Sequence, residues 1–372
     1  MEAQLTARGG GAVTLETATR TPVKTDRMWA IEKSKAEPGL WRIEAPIPSV
    51  GPKDVRIRVS AFAICGTDLH IVDWDRWAAS RIKTPLVFGH EFTGVVDSVG
   101  PEVKSVKPGD RVTGETHVYC GLCYACRRGL QHLCMNVEIL GVDRPGAFAD
   151  YVVLPEQNVW RLHPDIPEEI AAIHDPLGNA VHTALAGPVA GLRFSVFGCG
   201  PIGCFAVGVL KAAGAAWVAA VDKNPLRLDI AKRMGADLLL DVTREPVVKR
   251  ILDATDGRGV DGMLEMSGHP NSYRQGFESL TNGGRVSLLG IPSKPLEIDV
   301  AKEVIFRGAQ VQGINGRLIF DTWYRMEALL LSGKLDVRPV LTHVLGWSDF
   351  EEAVDLQRSG KAGKIVLTRD HP

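Results

Sequence analysis

Residues 194–203 run Phe194-Ser195-Val196-Phe197 and then Gly198-Cys199-Gly200-Pro201-Ile202-Gly203. A short apolar strand breaks into a G-x-G-x-x-G turn, and helix-like sequence continues to about Ala213. Glycines so placed permit a tight turn and let a pyrophosphate approach the amides of a helix N-terminus. The hexamer alone says little; the strand before it and the helix after it give it weight. Trp217-Val218-Ala219-Ala220-Val221-Asp222 supplies a second strand ending in an acid, 19 residues beyond Gly203. A carboxylate at that distance suits a ribose diol, against the plainer reading of an ordinary strand-end acid. Further strands are expected at 238–242, 260–266, 285–290 and 311–314, making six. Strands alternating with helices predict a doubly wound parallel sheet, a Rossmann-type cofactor domain of the α/β class.

The preceding region reads differently. From Met28 to about Leu154 short runs such as Asp54-Val55-Arg56-Ile57-Arg58-Val59 alternate polar and apolar residues, as half-buried strands do. Within it lie Cys65-Gly66-Thr67-Asp68-Leu69-His70 and Gly89-His90-Glu91. Cys65, His90 and Glu91 offer S, N and O donors, and three donors with one open position make a catalytic zinc site. The bland alternative is a core cysteine and a surface His-Glu pair. Next comes Cys120-x2-Cys123-x2-Cys126-x7-Cys134. Four thiolates suit a closed, structural zinc site; the fourth spacing does not match a ferredoxin cluster. Asp175 precedes Pro176 and reads as the N-cap of a helix, or as a carboxylate beside the catalytic metal.

Composition bounds the function. With a net charge of −1 and a pI near 6.8, the chain has no footprint for nucleic acid or an anionic membrane. No apolar run approaches the ~18 residues of a membrane span. Seven cysteines, an odd number with four in one cluster, favour metal over a disulfide framework, hence a cytoplasmic location. Residues 1–27 lack apolar periodicity and the hydrophobic core of a signal peptide, and are expected to be a disordered extension.

Together, Cys65-Gly66-Thr67-Asp68, Gly89-His90-Glu91, the four-cysteine loop and the Gly198–Gly203 turn resemble the zinc-dependent medium-chain dehydrogenases, over about Met28 to Arg369. The resemblance implies a GroES-like β-rich catalytic domain (28–180), a Rossmann domain (181–315) and a C-terminal return to the catalytic domain (316–372). It implies two zincs per chain, NAD as cofactor and a homotetramer. It assigns Thr67 and His70 to a proton relay, with Asp175 near the same path. Gly198, Gly200, Ile202, Gly203, Asp222, Arg227, Leu289-Gly290-Ile291 and Ile314-Asn315 would line the cofactor. Asp222 would repel a 2′-phosphate and so select NAD, with Lys223 and Arg227 close behind. The chain departs from the family pattern at Asn315, where Tyr or Thr is expected, and at Asp175, where many relatives carry Glu.

The activity implied is zinc-assisted oxidation of a secondary alcohol. The leading substrate is a small amino acid, L-threonine, oxidised at C3; a polyol or 2,3-butanediol is the alternative. A non-catalytic dinucleotide-binding relative is a third reading, opposed by intact Cys65, His90 and Glu91. An amino-acid substrate needs a cation for its carboxylate. Arg317, following the last strand of the cofactor domain, is the candidate, with an interdomain salt bridge as its plainer role. Trp74 and Trp77 are candidate walls of the pocket.

Overall fold

The computed structural model describes residues 26–369. The expectation of a disordered extension over 1–27 therefore falls, save for its last two residues, outside the described residues. Arg27 already belongs to a strand, Arg27–Lys33, paired antiparallel with Trp41–Pro46.

The first half builds a β-rich body around the strand Asp54–Ala63. This strand pairs antiparallel with Glu91–Val99 over eight registered positions and with Tyr151–Pro155. Its alternating side chains, Val55, Ile57 and Val59, are fully buried, which is the period-2 pattern meeting one core. That core also contains Phe62, Phe88, Phe92 and Phe148. The last strand, Lys364–Thr368, returns to the same sheet. It lies antiparallel to Asp54–Ala63 and parallel to Leu341–Gly346.

The second body is the parallel sheet. Its spatial order is Leu238–Asp241, Trp217–Asp222, Arg193–Phe197, Val260–Glu265, Leu280–Leu288 and Gln310–Gly313, with every pair parallel. In chain order this is 3-2-1-4-5-6, the doubly wound dinucleotide-binding topology. The fifth strand begins five residues earlier than its apolar run suggested, and an irregularity in the pairing with Val260–Glu265 absorbs the extra length. The helix Pro201–Ala212 packs Phe205, Val209 and Leu210 onto the sheet, all fully buried.

Two helices join the bodies. His174–Ala184 and Asp321–Leu331 pack against each other. Trp323 and Met326 are buried in the same cluster as Phe194, Val196 and Phe205. The helix bearing Asp175 starts earlier than expected. Its N-cap is Ile173, and Asp175 sits inside the first turn. The Asp175 side chain is spent on Thr116 and Arg317 and does not cap its own helix.

The turn at Gly198–Gly203 is sterically exacting. Gly198 has φ +95°, and a Cβ on Gly203 would collide with the Gly198 carbonyl, whereas a Cβ on Gly200 would meet nothing within 4 Å. Gly203→Ala is therefore expected to lower stability by about 1–3 kcal/mol, the usual cost of overpacking. Gly200→Ala should stay within about 0.5 kcal/mol of the parent. Denaturant unfolding of the two variants checks the contrast, and equal losses would contradict it.

Candidate active site

Cys65 caps the N-terminus of the short helix Gly66–Asp73. Its amide donates to Asp68 Oδ2 at 2.8 Å, so the helix's first turn is tied to the residue that leads it. His90 and Glu91 lie where the chain enters the strand Glu91–Val99. Gly89 turns the chain there with φ +89°, and a Cβ would be driven into the Phe148 ring. One donor atom from each of Cys65, His90 and Glu91 falls within 4.8 Å of the others.

The electrostatics of this cluster call for a cation. Burial by itself would push the His90 imidazole down. Its hydrogen bond to Cys65, with the charges of Cys65, Asp68 and Asp175, outweighs that and raises it to about 10. His90 Nδ1 and Asp68 Oδ1 are buried without a hydrogen-bond partner among the described residues. A site that holds three acids and a thiol around one imidazole, with buried polar atoms unspent, fits a divalent metal on chemical grounds.

Asp175 completes the inner wall. Its Oδ2 accepts from Thr116 Oγ1 at 2.7 Å and lies 2.7 Å from Arg317 Nη1. Thr67 Oγ1 stands 3.8 Å from Cys65 Sγ. One helical turn on, His70 faces solvent with its side chain 57% exposed, its Nδ1 2.7 Å from Asp75 Oδ2. The Trp77 ring lies beside His70, at 5.9 Å between centroids. Trp74 instead turns onto the buried ammonium of Lys33, 5.2 Å from its ring centre, and packs, half-buried, against the core.

Arg317 stands apart from the role expected for it. The guanidinium is 1% exposed and fully engaged. Nε and Nη2 grip both oxygens of Glu115 at 2.7 and 2.5 Å, and Nη1 also reaches the Asn179 side chain at 3.2 Å. Nη2 further meets Thr116 Oγ1 and His117 Nδ1. No fork remains for a substrate carboxylate among these contacts; a buried salt bridge, the plainer role, is what is observed. Glu115, unnoticed in the sequence, is the hub: it also accepts from Trp323 Nε1 at 3.0 Å. Burial alone would raise its carboxyl, but the charge and hydrogen bonds of Arg317, helped by His117, hold it well below the usual carboxylate range.

The residues expected to line a cofactor follow the sheet's carboxyl edge. Both oxygens of Asp222 are fixed by backbone amides, Cys199 N at 2.7 Å and Asn224 N at 2.8 Å. The open space at Gly200 is the approach a pyrophosphate needs beside the Pro201–Ala212 helix. Arg227 lies in the first turn of the following helix, with its Nε buried and without a hydrogen-bond partner among the described residues. Leu289 and Gly290 donate their amides to the Glu265 carbonyl, at 2.9 and 3.0 Å, and Ile291 projects outward, 90% exposed. Ile314 is buried after the last strand, and Asn315 reaches the His132 carbonyl at 3.5 Å. The Glu265 carboxylate, another residue missed, holds Ser267 and Gly268 amides beneath this loop. A strand-ending acid, as at Asp222, was the signal available for it.

The four-cysteine loop is a separate pocket. Its sulfurs fall within 4.8 Å of one another as free thiols. Amides of Cys120, Cys123 and Asn136 point at Cys134 and Cys120 sulfurs at 3.3–3.4 Å. Backbone donors from Leu122 and Cys123 pull the Cys120 thiol down to about 6, favouring the thiolate that a metal requires.

Comparison with known proteins agrees with this architecture. Residues 51–165 match the alcohol dehydrogenase GroES-like domain and residues 201–332 match the zinc-binding dehydrogenase domain, which defines the class. In structure the chain is similar to a short chain alcohol dehydrogenase of Escherichia coli CFT073 solved with NADH, with a TM-score of 0.85 and 27% identity over 92% of this chain and 100% of that one. In sequence it is 48% identical over 340 residues to the L-threonine 3-dehydrogenase of Bacillus licheniformis, covering 91% of this chain and 98% of the relative. It is likewise 48% identical over 346 residues to that of Symbiobacterium thermophilum, covering 93% and 99%. The chain belongs to the L-threonine 3-dehydrogenase family of zinc-binding alcohol dehydrogenases.

The Arg317 network makes a thermodynamic demand. Arg317→Met would strand the buried carboxylates of Glu115 and Asp175, and is expected to cost about 3–5 kcal/mol in denaturant unfolding. Arg317→Lys should recover only part of this, because an ammonium cannot repeat the two-pronged grip on Glu115. Unchanged stability in Arg317→Met would contradict the burial of the pair.

Proposed function

We propose that this protein oxidises L-threonine at its C3 hydroxyl to L-2-amino-3-oxobutanoate with NAD. The reading is carried by one observation: a Cys65–His90–Glu91 donor cluster occurs in a chain that also holds a parallel sheet of dinucleotide-binding order and has L-threonine 3-dehydrogenase relatives at 48% identity. Zinc held at that cluster would supply a Lewis acid for the substrate hydroxyl, and a bound nicotinamide would supply the hydride acceptor. Cys65, His90 and either Glu91 or Asp175 would hold the metal. The second zinc of the chain would sit among Cys120, Cys123, Cys126 and Cys134 and pin their loop, with no open position for chemistry.

The chain's own groups manage the proton. In this reading Thr67, 3.8 Å from Cys65, would accept the hydroxyl proton, and His70 would be the outer member of the relay. The exposed imidazole of His70, steadied by Asp75, would release the proton to water. Asp175 lends negative charge to the same pocket while Arg317 and Thr116 fix its orientation.

Preference for NAD over NADP rests on Asp222, whose two oxygens are already directed by backbone amides and whose charge opposes a 2′-phosphate. The homotetramer implied by the family resemblance needs surfaces for association, and one exposed sheet edge is suited to it. The sheet-edge strand Gln310–Gly313 is exposed throughout and carries no charged residue, and Ile305 and Phe306 beside it are 66% and 80% exposed. Such an edge is normally covered or charged. A cytoplasmic setting fits four clustered free thiols, which persist in a reducing compartment. Among the described residues no helix is long and apolar enough to cross a membrane.

A substrate panel tests the assignment. With NAD, L-threonine should be oxidised with a higher kcat/KM than D-threonine, L-serine, sorbitol or 2,3-butanediol, and NADP should support slower turnover. A preference for butanediol would replace the substrate assignment, and faster reduction of NADP would overturn the role of Asp222.

A further inference from the structure

The strand that closes the catalytic sheet opens on Lys364, and this lysine points inward. It is 2% exposed. Its Nζ donates to the carbonyl of Ile64, the residue before Cys65, at 2.8 Å, and to Glu91 Oε1 at 2.7 Å. Glu91 Oε2 lies 2.5 Å from the same nitrogen, although its direction does not make a hydrogen bond. Lysine is almost never fully buried unless paired, so an ammonium kept at this depth answers a specific charge.

Glu91 thus faces two cations. On one side is the ammonium, anchored by a backbone carbonyl. On the other is the metal expected among Cys65, His90 and Glu91. Lone pairs given to the ammonium are lost to the metal. We infer that Lys364 is a positioning residue that draws Glu91 back from the metal, keeping a coordination position open for the substrate hydroxyl. This rests on the zinc reading of the Cys65–His90–Glu91 cluster. Lys364 lies 273 residues from Glu91 in sequence, so the terminal strand's return to the catalytic sheet sets the metal's surroundings. The same ammonium is within the field of Cys65 and Asp68, which together with Glu91 offset the cost of its burial.

Cobalt(II), exchanged into the catalytic site with the four-cysteine zinc left in place, reports the shell without relying on turnover. In Lys364→Met the freed Glu91 should close on the metal. The visible cobalt bands should shift, and loss of metal to a chelator should slow by about tenfold, the scale of outer-partner effects on metal sites. The kcat for L-threonine should fall with the KM for NAD unchanged. Lys364→Arg, which keeps a cation, should restore parent-like bands. In a Glu91→Gln background, Lys364→Met should change neither bands nor release, because the carboxylate it frees is gone. Lys364→Gln carries the same expectations should the methionine variant not fold. Parent-like bands and release in the single variants, with lowered melting alone, would reduce Lys364 to a clamp on its strand and overturn the inference. Failure of the parent to show a Cys65-dependent thiolate–cobalt band would instead remove the zinc reading on which it rests.

Discussion

Arg317 and Glu115 form the contact on which the two halves of the molecule depend. Glu115 belongs to the catalytic body and Arg317 to the segment leaving the parallel sheet, 202 residues later. Burying either alone would leave a bare charge, and burying both works only because the fork grips two oxygens while Trp323, Thr116, His117 and Asn179 satisfy what remains. The same guanidinium fixes Asp175 at the catalytic pocket. A segment two residues beyond Ile314-Asn315, the pair proposed to line the cofactor, is therefore bonded directly to Asp175.

Around this seam the chemistry is divided by fold. The β-rich body gathers the donors, because a strand end and a helix start bring Cys65, His90 and Glu91 together. The parallel sheet sets the proposed cofactor residues side by side, because its first strand ends at Phe197, just before Gly198, and its second at Asp222. Neither half holds both functions. The proposed reaction would need both, and the helix His174–Ala184 packs against elements of both bodies.

Features written in local sequence were readable. The Trp217–Asp222 strand falls where its apolar run placed it, and the four cysteines cluster because their spacing is short enough to close one loop. Features made by distant pairing were not. Nothing near Arg317 announces Glu115, so a free fork for a substrate carboxylate looked available. Asp175 looked like a helix cap because Pro176 follows it, yet its oxygen is claimed by Thr116 and Arg317, far away in sequence. Lys364 begins an apolar strand and resembles an ordinary charged flank; only the sheet's closure shows that it faces Glu91. In each case the local rule yielded to a buried charge that had to be neutralised.

The central claim is that Cys65, His90 and an adjacent carboxylate bind a catalytic metal, distinct from the one among Cys120, Cys123, Cys126 and Cys134. Zinc content of purified protein measures this most directly. The account predicts two zincs per chain in the parent, and one in Cys65→Ser together with loss of L-threonine oxidation. Two zincs and undiminished turnover in Cys65→Ser would contradict it.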